Sequence, residues 1–171
     1  MKRNLVWLVP MVFLAACGDP KIDDSSTLPT GPPPGSTTNN GSVAANISGE
    51  QFFGRLSGAA TIVESRLGFS AYDGYTRQLT FSVGAPGPGS FETGGPYNPV
   101  VSLIEIAGEE PRRWNSSPAA GFGSITLTFL SADKAIGHFS FALFPDSATI
   151  AAGFTSRRNV TAGTFDITVS R

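Results

Sequence analysis

The chain has very few of the side chains on which most enzymes and metalloproteins rely: its 171 residues include one cysteine and one histidine. A lone cysteine cannot close an internal disulfide, and a zinc site needs several His or Cys ligands at close spacing. Histidine-dependent acid–base or nucleophilic schemes have only His138 to use, and no Gly-x-Ser-x-Gly nucleophile turn occurs. Charge is also sparse, at 15% of residues. The carboxylates Glu109, Glu110, Asp133 and Asp146 offer calcium only scattered oxygens, without an Asp-x-Asp-x-Asp loop, and read as solvated charge. No metal or cofactor is expected. Long apolar runs are missing as well. The longest, Leu5 to Ala16, has 12 residues interrupted by Pro10, against the roughly 20 that a spanning helix requires. No segment carries a sustained helical stripe.

That one apolar run follows Lys2 and Arg3 and ends in Leu14-Ala15-Ala16-Cys17, the layout of a processing signal. The tetrapeptide resembles the lipobox of bacterial lipoproteins. The resemblance implies diacylglyceryl transfer to the Cys17 thiol, cleavage before it and acylation of the new amino group. Several acyl chains hold a protein on a membrane far more firmly than one, so membrane anchoring through Cys17 is expected. In Gram-negative lipoproteins an Asp directly after the cysteine commonly means inner-membrane retention; here that position is Gly18, which by the same resemblance favours the outer membrane. Cleavage removes Lys2 and Arg3, leaving 10 basic against 13 acidic side chains, a formal balance of −3. With the remaining arginines scattered apart from Arg112-Arg113 and Arg157-Arg158, this argues against a nucleic-acid partner.

From Gly18 to Gly41 the chain is Pro, Ser, Thr, Asn and Gly with little apolar beyond Ile22 and Leu28. Such a segment cannot offset its ordering entropy and reads, with Cys17, as a tether over residues 17–41. Flexible, it would span roughly 25–30 Å.

Residues 42–171 read as one all-β domain, an antiparallel β-sandwich or partly closed barrel. Apolar residues alternate in Thr76–Val83, Ser124–Ser131, Gly137–Leu143 and Thr164–Ser170. In the second of these, Ile125, Leu127 and Phe129 are expected inward, and Gly137 is expected to mark a bulge because Ile136 breaks the parity of its strand. Weaker strands are Val43–Ile47, Gln51–Leu56, Ala60–Ser65, Gly68–Tyr72 and Val100–Ile106, the last with apolar residues on both parities and so with both faces expected to be covered. Gly84–Pro99 and Gly108–Gly121 read as long loops, the first places to look for binding. Phe52, Phe69, Phe122, Phe144 and Phe154 read as core or rim.

The segments Gly137-His138-Phe139-Ser140-Phe141 and Ala162-Gly163-Thr164-Phe165-Asp166-Ile167, preceded by Ser124-Ile125-Thr126-Leu127-Thr128, resemble paired strands of small uncharacterised bacterial lipoprotein domains. Residues 121–171 carry this likeness, with His138 standing where those domains usually have Thr. It implies an all-β domain on a lipidated tether and no particular activity.

His138 shares the polar face of its strand with Ser140 and reads as solvent-facing. The candidate ligand contacts are Trp114, with Arg113 beside it, and Tyr72, Tyr75 and Tyr97, because flat rings near hydrogen-bonding groups suit sugars or peptides. Their alternative role is to cover a barrel end. The expectation is a non-enzymatic envelope lipoprotein, structural or contacting another envelope protein; the alternative is a small-ligand or glycan-binding domain.

Overall fold

Strands Gly41–Ile47 (β1), Glu50–Leu56 (β2), Ala60–Val63 (β3), Arg66–Tyr72 (β4), Arg77–Gly84 (β5), Gly89–Glu92 (β6), Val100–Ile106 (β7), Pro111–Asn115 (β8), Gly123–Leu130 (β9), Lys134–Pro145 (β10) and Arg158–Ser170 (β11) build the domain, with one short helix, Ser147–Ala151 (α1). This computed structural model describes residues 40–106, 108, 110–116 and 122–170. The expected signal peptide, Cys17 and all but the last two residues of the expected tether lie outside the described residues. Of the described residues 66% are strand and 4% helix, so the chain is all-β as its alternating patterns required.

Eight strands close a ring in the order β1, β2, β4, β5, β7, β8, β10, β11 and back to β1, every neighbour antiparallel. Of the two expected arrangements, the barrel is the one formed. Two of the joints are short, Arg55↔Tyr72 with Leu56↔Ala71, and Phe144↔Asn115 with Pro145↔Trp114. β3 lies over one seam, pairing with β4 and, in parallel, with the end of β11. β9 extends the sheet beyond β10, and β6 beyond β9.

The interior is filled with aromatic side chains. Phe69 stacks on Phe81 at 4.6 Å between centroids, Phe81 meets Phe139 edge-on at 4.6 Å, and Phe165 lies 5.2 Å from Phe69. Glycines make room for these rings. Phe139 pairs across the ladder with Gly163, and Gly137 with Phe165. A Cβ at Gly163 would sit 2.5 Å from Phe139 Cδ2, and one at Gly137 2.5 Å from Phe165 Cζ. A third ring, Phe141, covers Gly123 on β9 in the same way. The spacing Gly-x-Phe-x-Phe therefore encodes alternating holes and rings that interlock with those of the next strand. Outward positions carry Ser and Thr instead, joined in places across strands, as in Ser70 with Thr80 at 2.8 Å and Ser90 with Thr126 at 2.7 Å. Apolar inside and hydroxylated outside is the reverse of a membrane-spanning barrel, whose outer band is apolar.

Several expectations need correction. The bulge next to Gly137 exists, but its extra residue is Thr128 on β9: Ile136 pairs with Phe129 and Gly137 with Leu127. Ala135, Gly137 and Phe139 keep a single inward parity. The extra residue turns Phe129 out of the core, leaving it 46% exposed, because one inserted residue reverses every later side chain. A second bulge, at Thr161–Ala162 in β11, places Ala162 at φ 50°, and separates the inward Val160 and Gly163 by three positions. β7 is covered on one face only: Val101 and Leu103 are buried while Val100 and Ile106 are exposed. The two expected loops each contain a strand, β6 and β8. Phe122 is exposed and belongs to neither core nor rim.

Candidate functional site

One end of the barrel gathers the best-organised charge in the domain. The β1–β2 turn, the β4–β5 turn, the end of β7 and the start of β11 meet there, and Arg77 and Arg158 lie across it. Arg158 sits over the indole of Trp114 with its guanidinium carbon 4.6 Å from the ring centroid, and Arg77 over Phe52 at 5.8 Å. Each arginine is held by carboxylate. Arg158 donates to both oxygens of Glu105, at 3.1 and 3.0 Å. Arg77 donates to Asp73 at 3.0 Å, to Glu50 at 3.3 Å and to the Gln51 carbonyl at 2.8 Å. A guanidinium placed over an aromatic ring while it binds carboxylate combines cation–π attraction with ion pairing, bidentate in the case of Arg158. The two arginines thus close the end of the aromatic core.

Sequence causes this locally. Asp73 opens the β4–β5 turn, and its Oδ1 accepts from the backbone N–H groups of Tyr75, Thr76 and Arg77 at 2.9 to 3.0 Å, an arrangement suited to a short carboxylate in a turn. Burial pushes the Asp73 carboxyl up, but the N–H groups of Arg77 and Tyr75, the Arg77 guanidinium and the Thr76 N–H outweigh it and hold the group below its ordinary 3.8. The Glu105 carboxylate raises Arg158 against the opposing effect of burial. The Asp73 carboxylate, engaged in this way, stays ionised and acts as a strut, a poor state for a proton donor near neutral pH.

A consequence in stability follows. Because folding lowers the Asp73 pKa, its contribution is complete above the ordinary carboxyl value of about 3.9 and is lost as pH falls through the lower folded value. Asp73→Asn, which keeps one acceptor but no charge, is expected to cost roughly 1.5–3 kcal/mol at pH 7. That gap should close in urea titrations carried progressively below pH ~4; a gap independent of pH would contradict the assignment.

The structure separates the ligand contacts expected from sequence. Trp114 is 0% exposed, and its indole N–H donates to the Ser156 carbonyl at 3.0 Å. It is a core residue under Arg158, on a strand, and presents no face to a ligand. Arg113, its neighbour, points its backbone at α1: the N–H donates to Thr149 Oγ1 at 2.8 Å, and that hydroxyl donates back to the Arg113 carbonyl at 3.1 Å. The helix so seals the part of β8 that β10 does not reach, with Asp146 as its N-cap accepting from the Thr149 N–H at 2.8 Å. Tyr72 is half-buried and donates its hydroxyl to the Tyr75 carbonyl at 2.5 Å, while the Tyr75 ring is 84% exposed. These two lie at the charged end. Tyr97 lies at the other end of β5, over Gly84 and edge-on to Phe91 at 5.6 Å. His138 is exposed beside Thr126 and Thr164, as its strand parity predicts.

Sequence reasoning missed both the arginine closure and a groove on the outer wall. The closure joins residues from four strands and turns, and only Asp73 four places before Arg77 hints at it. The groove, of about 550 Å3, lies between the β6–β9 layer and β10–β11 and is lined by Glu92, Phe122, Ser140 and Asn159 among others. A signal for Phe122 was present: with Ile125 and Leu127 inward, alternation places an even-numbered residue outside. Among the described residues no group of three or more His, Cys, Asp or Glu is placed to hold a metal ion.

These features define a class of architecture: a closed, eight-stranded antiparallel barrel with a filled aromatic interior and an arginine-sealed end. Comparison with protein families, curated proteins and solved structures returns no match for the chain.

Proposed function

We propose that this protein is a lipid-anchored lipoprotein of the bacterial cell envelope whose barrel is a non-enzymatic contact module. The observation that carries the reading is Leu14-Ala15-Ala16-Cys17 at the end of a short apolar run, followed by a polar tether and a domain that closes within a few residues of it, at Gly41. A filled interior supports the non-enzymatic part, since ring packing and the arginine seal leave the outer wall as the surface for encounters. The partner is then another envelope component reached from the end of the tether, and the outer membrane is the favoured location.

Labelling cells with radioactive palmitate tests the anchor. Wild type is expected to incorporate label and to fractionate with membranes, whereas Cys17→Ser does neither. Equal incorporation by the two would refute the reading.

A further inference from the structure

The outer-wall groove brings an exposed phenylalanine together with several polar side chains. Phe122 is 64% exposed, although a phenyl ring left in water forgoes the stabilisation of burial. Tyr97, 45% exposed, lines a second groove of about 550 Å3 with Glu64 and Ser65, but that groove also carries the Arg66 guanidinium, bonded to Ser82 at 2.7 Å. Around Phe122 stand the Glu92 carboxylate, the Asn159 carboxamide and the hydroxyls of Ser124, Ser140 and Thr161. None of these five side chains spends its hydrogen-bonding capacity on another described residue; the nearby hydroxyls of Ser90, Thr126 and Thr93, by contrast, are engaged. The groove therefore offers one apolar face and several free donors and acceptors, within a volume of about 550 Å3 that falls among those of small-ligand sites.

Charge and rigidity narrow the ligand. Among the described residues no cation lines the groove, and Glu92 is the one charged side chain there, so phosphorylated, sulfated or uronate ligands meet repulsion without compensation. Four of the five polar groups are neutral and can both donate and accept, the complement of vicinal hydroxyls. Most of the lining side chains stand on the paired strands β6, β9, β10 and β11, which gives a preformed surface with little to order on binding. The C–H face of a pyranose would lie on the Phe122 ring while its hydroxyls meet Glu92 and Asn159. The pairing places Glu92 opposite Ser124 and Asn159 opposite Ala142, in the half of the barrel remote from Gly41, where the chain enters.

From this we infer that the groove formed by Phe122, Glu92 and Asn159 binds a neutral glycan. The inference gives the contact module its ligand and does not depend on the lipid anchor, so the palmitate result leaves it untouched.

The test is titration of the full chain, purified in detergent, with cellohexaose, mannohexaose, laminarihexaose and chitohexaose, alongside polygalacturonate and polylysine as charged probes. At least one neutral oligosaccharide is expected to bind. Phe122→Ala and Glu92→Gln are each expected to weaken that binding by roughly tenfold or more, as loss of a central contact does, with unfolding midpoints unchanged because both side chains are exposed. Phe129→Ala, at the other end of β9, should bind as wild type. The inference is overturned if none of the four binds at millimolar concentration, if either charged polymer is preferred, or if binding survives both groove variants undiminished.

Discussion

Gly163→Val is expected to leave the protein without a stable fold. A Cβ there would meet the Phe139 ring at 2.5 Å, closer than real Cβ contacts come, and valine adds two more carbons. The ring has nowhere to retreat, being 3% exposed and held edge-on to Phe81 at 4.6 Å and near Phe165 at 6.3 Å. Overpacking alone costs about 1–3 kcal/mol per poorly placed group, and here the clash involves a backbone-attached atom in the central ladder. The loss is expected to exceed ~4 kcal/mol, a large part of the stability of an ordinary domain. The interlocking explanation makes a sharper claim: Phe139→Leu, harmful alone, should partly rescue Gly163→Ala, so the double variant loses less than the two single losses combined. Urea unfolding of the four proteins measures this. Strict additivity would show that Gly163 is required for some other reason.

Trp114→Ala should be the most damaging truncation, at about 3–5 kcal/mol and a fall in melting temperature of roughly 10–20 °C for a domain of this size. Three losses coincide. The largest fully buried side chain disappears, the Ser156 carbonyl loses its indole donor, and Arg158 loses the ring beneath it while remaining paired with Glu105. Trp114→Phe restores a ring without the N–H and should recover more than half of the loss. Had the tryptophan been a ligand platform, the alanine variant would melt within a degree or two of wild type, and that result would reverse the assignment.

Strands such as Thr164–Ser170 were legible in sequence because they run long enough for alternation to repeat and have one dry face. β6 and β8 were not. β8 turns a single apolar residue, Trp114, inward over Pro111–Asn115, and one inward residue makes no period. Phe129 was misplaced for a different reason: a bulge is a property of two strands in register, and Thr128 looks like any other outward residue until Ile136 and Gly137 are set opposite it. The glycines that receive Phe139 and Phe165 were visible as letters, but their purpose lies in pairs 28 and 24 positions apart, Gly137↔Phe165 and Phe139↔Gly163. Tyr72, Tyr97 and Trp114 shared chemistry without sharing a place. The groove is the opposite case: Phe122, Glu92 and Asn159 come from three separate segments, and nothing along the chain links them.

The entry of the chain into the barrel has a mechanical consequence. Gly41 opens β1 opposite Ile167, the Thr168 N–H holds the Asn40 carbonyl at 2.9 Å, and β1 is bonded along its length to β11 on one side and β2 on the other. A pull arriving through residue 40 acts along the axis of β1. If the opposing hold lies at the far end of the barrel, both ladders are loaded in shear, so their hydrogen bonds share the force instead of opening one after another. A domain loaded in that direction would then yield last at the strand through which the chain enters.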